Sequence, residues 1–462
     1  MTVITRFAPS PTGYLHIGGA RTALFNYLFA KHYGGRYLLR IEDTDKQRST
    51  EDAIEAIFEG LNWLGLEGDE PAIYQSHNIN RHKQVANELA ASGAAYYCYL
   101  SSAEIEILRA ENKQDGTPFR SPWRVPSYNG DKNQKPVLRL RMPDENDTII
   151  DDLVQGKVSV ANKQLDDLVL MRSDETPTYM LAVVVDDYDM GITHIIRGDD
   201  HLNNAIRQTK IYNALNWKPP IFGHIPLIHG TDGAKLSKRH GATGVDAYKN
   251  MGIYSDAMNN YLARLGWSHG DDEYFSLTQA ISWFDGRSIG KSPARFDMQK
   301  LISVNAYWLN KQSAANLYEQ ILSHHHQKPN KPISSAFEAR FNKLHPHLTK
   351  RASIISELSS QIDYLIYDGA PEIDSDVKAL ITDDSCAILK SFCDIVDKTP
   401  LDADAFQSFM NSWLAEKGLK MKDLGIPLRI VLTGNKSAPA LFDLIHSLGF
   451  DEVKYRIDQI CN

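Results

Sequence analysis

Two short stretches carry the residue types that handle phosphate. In LHIGGAR, residues 15–21, His16 stands just ahead of Gly18 and Gly19 at the predicted opening of a helix. A helix N-terminus presents backbone N–H groups and partial positive charge, glycines let an anion come close, and an imidazole can donate to a phosphate oxygen. In GAKLSKRHG, residues 233–241, Lys235 and Lys238 are separated by Leu236 and Ser237, followed by Arg239, and bounded by glycines. A cationic loop of that kind suits the outer phosphates of a nucleotide. Each stretch alone reads more readily as a loop histidine or a solvated basic turn. Both together, each at an edge of one α/β pattern, favour a shared phosphate site.

The surrounding elements must bring the two together. Residues 2 to 7 alternate like a strand, and from Ala20 the apolar positions Ala23, Leu24, Tyr27 and Leu28 recur at helical spacing until Gly34 and Gly35. RYLLRIE reads as a second strand, so the first 42 residues predict a strand, a helix and a parallel strand, the crossover unit of doubly wound folds. A helix follows, with Ser49 or Thr50 as N-cap and Ala53, Ile54, Ile57, Phe58, Leu61 and Leu64 on one face. From about Leu100 to Asp174 a polar helix, a Pro- and Gly-rich loop and short alternating strands predict an inserted domain. YMLAVVVDD and ITHIIRGDD read as buried strands that resume the first sheet, and after about Ile333 the pattern is mostly helical. The expected fold is therefore a Rossmann-like parallel-sheet catalytic domain with an inserted α+β domain and an all-α C-terminal region.

Composition excludes several classes. With 462 residues, 42% of them hydrophobic, the chain has core enough for three or four domains. The N-terminal segment has no basic run followed by an apolar one, and the most apolar window, from Met180, is too short to span a bilayer. Four scattered cysteines suggest neither a disulfide framework nor a zinc knuckle, and predict a reducing cytoplasm. The net charge of −8 argues against a generic polyanion binder but leaves room for a local basic face. His324, His325 and His326 read as part of a solvated linker, because adjacent side chains cannot all address one ion from regular structure. GRSIGKS has one residue too few for a P-loop, and no GxSxG or HExxH occurs.

The two phosphate-type stretches resemble the HIGH and KMSKS motifs of class I aminoacyl-tRNA synthetases. Their surroundings, RFAPSPTGYLHIGGARTALFNYLFA, RIEDTD, LVLMRSDETPTYMLAVVVDD and GAKLSKRHG, resemble bacterial glutamyl-tRNA synthetases, as do LARLGWSHGD, SPARFDMQKL and GIPLRIVLTG. The likeness is thinner from about 310 to 410. Gly19 stands where the class has a second histidine, a departure that glutamyl enzymes often share.

The resemblance implies attack of the glutamate α-carboxylate on the α-phosphate of ATP, then transfer to the terminal adenosine of tRNA. His16, Lys238 and Lys235 would be catalytic. Gly18, Gly19, Asp200, Leu236, Ser237 and Arg239 would join them around ATP, with Gly18 against the adenine or ribose and Mg2+ on the phosphates. Arg6 and Arg197 would read the side-chain carboxylate, since charge separates glutamate from glutamine better than shape does. Ala8, Ser10 and Tyr179 would line the same pocket, and Glu42 would accept from the α-ammonium group. The other acidic positions in EDTDK, VVDDYD and GDD read as loop and capping carboxylates. No zinc is expected, because Cys98 of YYCYLSS lacks the second cysteine at position 100 found in zinc-bearing relatives.

The implied domains are a catalytic half over 1–99, an inserted acceptor-binding domain over 100–175, the second catalytic half with the KLSKR loop over 176–240, a stem-contact domain over 241–325 and a helical anticodon-binding region over 326–462. The expected partners are ATP, glutamate and tRNA(Glu), with tRNA(Gln) as a second candidate, and the expected state is a cytoplasmic monomer. Candidate RNA-phosphate contacts are Arg287, Lys291, Arg295 and Lys300, then Lys350, Arg351 and Arg429, though scattered cations are ordinarily solvated helix faces. The family also implies that glutamate activation waits for tRNA. A glutaminyl enzyme is disfavoured by the helical C-terminal pattern, and a truncated tRNA-modifying relative by the 150 or so residues after the catalytic part. A non-catalytic paralogue is disfavoured by His16 and Lys238.

Overall fold

The structure is a computed structural model that describes residues 2–45, 49–234, 236, 244–325 and 332–462. It divides into two units, Met1–Lys249 with Met258–Met298, and Asn250–Ala257 with Gln299–Asn462.

The chain opens with β1 (Ile4–Phe7), α1 (Ile17–His32) and β2 (Arg36–Ile41). β1 and β2 are parallel, Ile4 opposite Arg36 and Phe7 opposite Leu39. Then come α2 (Glu51–Leu64), capped by the Thr50 side chain, and β3 (Ile73–Tyr74), parallel to β2 on its far side. After α3 (Ile79–Ala91) the chain forms β4 (Ala95–Cys98), α4 (Ser102–Asp115), β5 (Val137–Leu140), β6 (Asp147–Asp152), β7 (Gly156–Ala161) and β8 (Val169–Met171). β4, β5 and β8 make an antiparallel sheet, and β6 with β7 an antiparallel pair. The parallel fold resumes with α5 (Tyr179–Asp189), β9 (His194–Gly198), α6 (Leu202–Ala214) and β10 (Ile221–Ile225), β9 and β10 being parallel. β11 (Ile228–His229), α7 (Val245–Asn250), α8 (Ser255–Arg264), α9 (Leu277–Trp283) and β12 (Ala294–Arg295) follow, with β11 parallel to β12.

β9 lies along the edge of β1 that β2 leaves open. Thr193 N–H donates to Ile4 O at 2.9 Å, and Ile4 N–H to Thr193 Oγ1 at 2.8 Å. Further along, the buried Asn26 amide of α1 donates to Ile196 O at 2.8 Å, so a side chain fills the gap where the ladder stops. The strand order is thus β3-β2-β1-β9-β10, and it reverses beside β1. Open α/β sheets bind ligands outside the carboxyl ends of the strands at such a reversal. Leu38, Val85, Leu181, Val184, Ile195, Ile206 and Phe222 pack the core beneath it.

The second unit is helical, from α10 (Met298–Asn310), α11 (Ala314–His325), α12 (Phe337–Leu348), α13 (Ile355–Gln361), α14 (Asp363–Ile366) and α15 (Ser375–Lys378) to α16 (Asp383–Cys393), α17 (Ala403–Glu416), α18 (Met421–Thr433), α19 (Leu441–Leu448) and α20 (Phe450–Cys461). Phe341, Leu344, Leu389, Leu428 and Ile445 are fully buried in its core. Arg456 replaces solvation with Leu432 O at 2.6 Å, Tyr364 O at 2.8 Å and Glu452 Oε1 at 2.7 Å. Among the described residues no helix is long and apolar enough to cross a membrane.

Three expectations need correction. YMLAVVVDD is the helix α5, because an unbroken apolar run marks burial without choosing between strand and helix. Its first turn closes on Thr178 O, which accepts from Leu181 and Ala182. The antiparallel sheet takes its first strand from Ala95–Cys98, ahead of residue 100. Cys386 of α16 and Cys461 of α20 form a disulfide, although 75 residues apart, a pairing that spacing alone could not reveal. The histidine run begins in α11, and its last member, His326, lies outside the described residues.

Candidate active site

The phosphate side of the site starts at the N-terminus of α1. His16, in extended conformation (φ −79°, ψ 159°), is the N-cap, and its Nδ1 accepts from Gly19 N–H at 3.0 Å. One amide expected to meet a phosphate is therefore occupied by the imidazole. The compensation is a defined ring: with Nδ1 accepting, the proton of neutral His16 sits on Nε2, as a donor. A Cβ on Gly18 would come within 3.2 Å of Nδ1 and Cε1 of that ring, so Gly18 leaves room for His16 itself.

Lys235, Ser237, Lys238 and Arg239 lie outside the described residues. The chain on either side of them is fixed. Leu236 N–H donates to Ile228 O at 3.0 Å, Gly244 forms an antiparallel bridge with His16, and Val245 N–H donates to Leu15 O at 2.9 Å. Of the described residues flanking the KLSKR stretch, Leu236 is thus fastened to β11, and Gly244 to the residue that caps α1.

The carboxyl ends of β1, β2 and β9 supply the other half. Arg6 is 4% exposed and Arg197 5% exposed. Arg6 is held from below: its Nε donates to Asp187 Oδ1 at 3.1 Å and its Nη2 to Asp187 Oδ2 at 3.4 Å. Arg197 has no ion-pair partner among the described residues. Its Nη2 donates to Gln208 Oε1 at 2.8 Å, its Nε to His224 Nε2 at 3.2 Å and its Nη1 to the Tyr179 hydroxyl at 3.4 Å, all uncharged groups. Burial, unmatched by a bonded carboxylate, lowers its pKa. A buried cation in this state is ready for an anionic ligand.

Glu42 follows β2, and its N–H donates to Pro9 O at 3.0 Å, which ties it to the segment carrying Ala8 and Ser10. Burial raises its carboxyl pKa, against the pull of Arg40 and Arg6. Burial and then the Glu42 charge raise that of Tyr179, which keeps its hydroxyl protonated. Arg6, Glu42, Tyr179 and Arg197 therefore share one electrostatic environment. Ser10 is exposed and Ala8 partly so. Asp200 is exposed in the short 3-10 turn Asp199–His201 that follows β9.

The acidic pair read as loop and capping carboxylates is something else. Asp186 and Asp187 lie in α5, 1% and 0% exposed. Asp187 also accepts from Arg40 Nη1 at 2.6 Å, and Arg40 Nη2 reaches Glu42 Oε1 at 3.4 Å. Asp186 accepts from Gln75 at 2.7 Å and Asn78 at 2.9 Å, and pairs with His82 at 2.8 Å. Sequence reasoning missed these supports, as it missed Asp152, His224 and Gln208 around Arg197. An isolated Asp or His in a strand-like segment carries no signal of a partner far along the chain. Asp43 of EDTDK does act as a loop carboxylate, accepting from Ser76 N–H at 2.8 Å and from Ser76 Oγ at 2.6 Å.

The basic candidates do not form one cluster of free cations. In the first unit Arg287 pairs with Asp285 at 3.7 Å, Lys291 donates to Gln155 O at 3.2 Å and Arg295 is exposed on β12. In the second, Lys300 and Lys350 are exposed, Arg351 is tied to Ala438 O and Ser437 Oγ, and Arg429 donates to Gly425 O. Cys98 is buried, its thiol donating to Ser121 Oγ at 3.3 Å, and among the described residues no three His, Cys, Asp or Glu side chains group as metal ligands.

Comparison with known proteins gives the same picture. Residues 2–303 match the catalytic domain of class I tRNA synthetases (E and Q), and residues 314–461 an anticodon binding domain. The chain is 47% identical to glutamate–tRNA ligase 2 of Rhodospirillum rubrum, over 99% of this chain and 98% of that one. It is 49% identical to glutamate–tRNA ligase 1 of Beijerinckia indica, over 97% of each. The crystal structure of a glutamate tRNA ligase from Elizabethkingia meningosepticum, in complex with its amino acid, superposes with a TM-score of 0.87 at 29% identity, covering 100% of this chain and 99% of that one. With both domains matched in order, and full-length relatives at nearly half identity, this chain belongs to the glutamate–tRNA ligase family of class I aminoacyl-tRNA synthetases.

Proposed function

We propose that this protein joins L-glutamate to tRNA(Glu) in two steps at the reversal of the parallel sheet. In the first, a glutamate α-carboxylate oxygen attacks the α-phosphorus of ATP and the bond to pyrophosphate breaks. In the second, a hydroxyl of the tRNA's terminal adenosine attacks the acyl carbon and releases AMP. Neither step needs a covalent enzyme intermediate, so catalysis consists of positioning and of stabilising charge on the transferred phosphate. Arg197, assisted by Arg6, receives the side-chain carboxylate, Glu42 accepts from the α-ammonium group, and Tyr179, Ser10 and Ala8 line the pocket. His16 donates through Nε2 to the phosphates of ATP, which enters as its magnesium complex, and Lys235, Lys238 and Arg239 follow the charge onto pyrophosphate. Gly18, Gly19, Leu236, Ser237 and Asp200 complete the nucleotide side.

The observation that carries this reading is Arg197, buried at the end of β9 with only neutral partners. A site for an amide side chain would not need that unbalanced cation. The helical second unit grips the anticodon and the inserted domain the acceptor end, with Arg295, Lys300, Arg351 and Arg429 as RNA contacts. The protein acts as a cytoplasmic monomer, without zinc.

ATP–pyrophosphate exchange with glutamate and tRNA tests the activity, and charging of tRNA(Glu) and tRNA(Gln) side by side tests its range. Absence of exchange would leave a protein that only binds tRNA or nucleotide. Arg197→Ala removes a charge-assisted contact worth roughly 1.5–3 kcal/mol. The expected result is a glutamate KM raised by about 10- to 100-fold with the ATP KM unchanged, and an unaltered glutamate dependence would take Arg197 out of the pocket.

A further inference from the structure

The orientation of Arg197 depends on a chain of hydrogen bonds in which every proton is assigned. Asp152, the last residue of β6, uses Oδ1 for three backbone N–H groups, those of Val154 and Gln155 at 2.9 Å and of His224 at 3.0 Å. This fixes the carboxylate so that Oδ2 lies 2.6 Å from His224 Nδ1. A carboxylate only accepts, so Nδ1 carries the ring proton, and Nε2 presents a lone pair to Arg197 Nε–H at 3.2 Å. Arginine only donates, so the neutral ring protonated on Nδ1 is the one state that serves both contacts. Burial lowers the ring's pKa, the Asp152 hydrogen bond raises it and the Arg197 charge lowers it, with a net shift downward. His224 is 0% exposed, and it faces Asp152 of β6 and Arg197 of β9, with Asp199 and His201 of the following turn nearby.

We infer that Asp152 and His224 are a positioning pair that aims Arg197 at the substrate's side-chain carboxylate without neutralising it, and so set the preference for glutamate over glutamine. The inference rests on Arg197 being the reader of that carboxylate. Its physical basis is the contrast between the two arginines. A carboxylate placed directly on Arg197, as Asp187 is on Arg6, would compete with the substrate for its charge. An imidazole supplies an acceptor of fixed direction and no charge, and the carboxylate that orients it stays one ring away. Gln208 and Tyr179 complete the neutral cradle.

The decisive variant is Asp152→Asn. Its amide oxygen keeps the three backbone N–H groups, which turns the NH2 toward His224 Nδ1. Nδ1 must then accept, the ring proton moves to Nε2, and a donor faces the Arg197 donor. Glutamate-dependent exchange by the full-length protein with tRNA present should show a glutamate KM raised roughly tenfold or more, as expected for a buried donor left unpaired. The ATP KM should stay unchanged, and discrimination against glutamine should fall. His224→Gln, whose amide oxygen reaches the Nε2 position, should restore most of the glutamate KM, whereas the shorter His224→Asn should not. This Gln-versus-Asn split decides the question alone if Asp152→Asn fails to fold, because a merely structural histidine would leave the two variants alike. Arg197→Ala serves as reference. If it raises the glutamate KM while Asp152→Asn and His224→Asn leave it at the wild-type value, the positioning pair is refuted and the reader stands. If Arg197→Ala has no effect, both are refuted.

Discussion

Replacing Lys238 by alanine is expected to lower glutamate-dependent ATP–pyrophosphate exchange by roughly 10²- to 10³-fold, the loss that follows removal of one well-placed donor from a developing oxyanion. As the bond to pyrophosphate breaks, negative charge moves onto the leaving group, and a cation held there lowers the barrier more than it strengthens ground-state binding. Lys238 belongs to a segment whose flanks are fastened, at Leu236 to Ile228 and at Gly244 to His16. The variant should lose kcat far more than affinity for glutamate, and its circular dichroism should match the wild type, since no described core contact depends on this side chain. Exchange at the wild-type rate would remove Lys238 from the reaction.

Much of this was legible in the sequence, and the boundary between what was and was not follows from how far each interaction reaches. β1, α1 and β2 announce themselves because alternation and 3.6-residue spacing are local properties, as is the Thr50 cap of α2. α5 did not, because a helix buried all round erases the period that would identify it. Arg6 and Arg197 could be named from the motifs that contain them. Their supports could not: Arg6 meets Asp187 across 181 positions, and His224 meets Asp152 across 72. The Asp-Asp pair in VVVDDYD looked like surface charge because acidic residues usually are, and only the fold shows it between three basic side chains. The sequence marks His16 as a phosphate donor. Its second contact, Nδ1 on Gly19, fixes which nitrogen can play that part.

Asp187→Ala is expected to destabilise the first unit by about 3–5 kcal/mol, because it strips two buried guanidinium groups of their shared carboxylate rather than removing a balanced pair. Asp187 accepts from Arg6 at 3.1 Å and from Arg40 at 2.6 Å, and both arginines are buried, Arg40 at 0% exposure. Glu42 would remain as a partner for Arg40 at 3.4 Å, so the uncompensated charge would pull on the group assigned to the substrate's ammonium. Burial alone would raise the Asp187 pKa, but the charges of Arg40 and Arg6 outweigh it and hold the carboxyl below its ordinary value. A carboxyl with a depressed folded-state pKa contributes stability above its unfolded value, near 3.9, and loses that contribution as pH falls through the folded value. Asp187→Asn, which keeps the shape and one acceptor, isolates this charge contribution. Denaturant unfolding followed for each unit separately should show a gap between wild type and Asp187→Asn that is full at neutral pH and closes in acid. A gap independent of pH would mean that Asp187 contributes packing and hydrogen bonds but not its charge. Equal stability of wild type and Asp187→Ala would mean that the two arginines can find other partners.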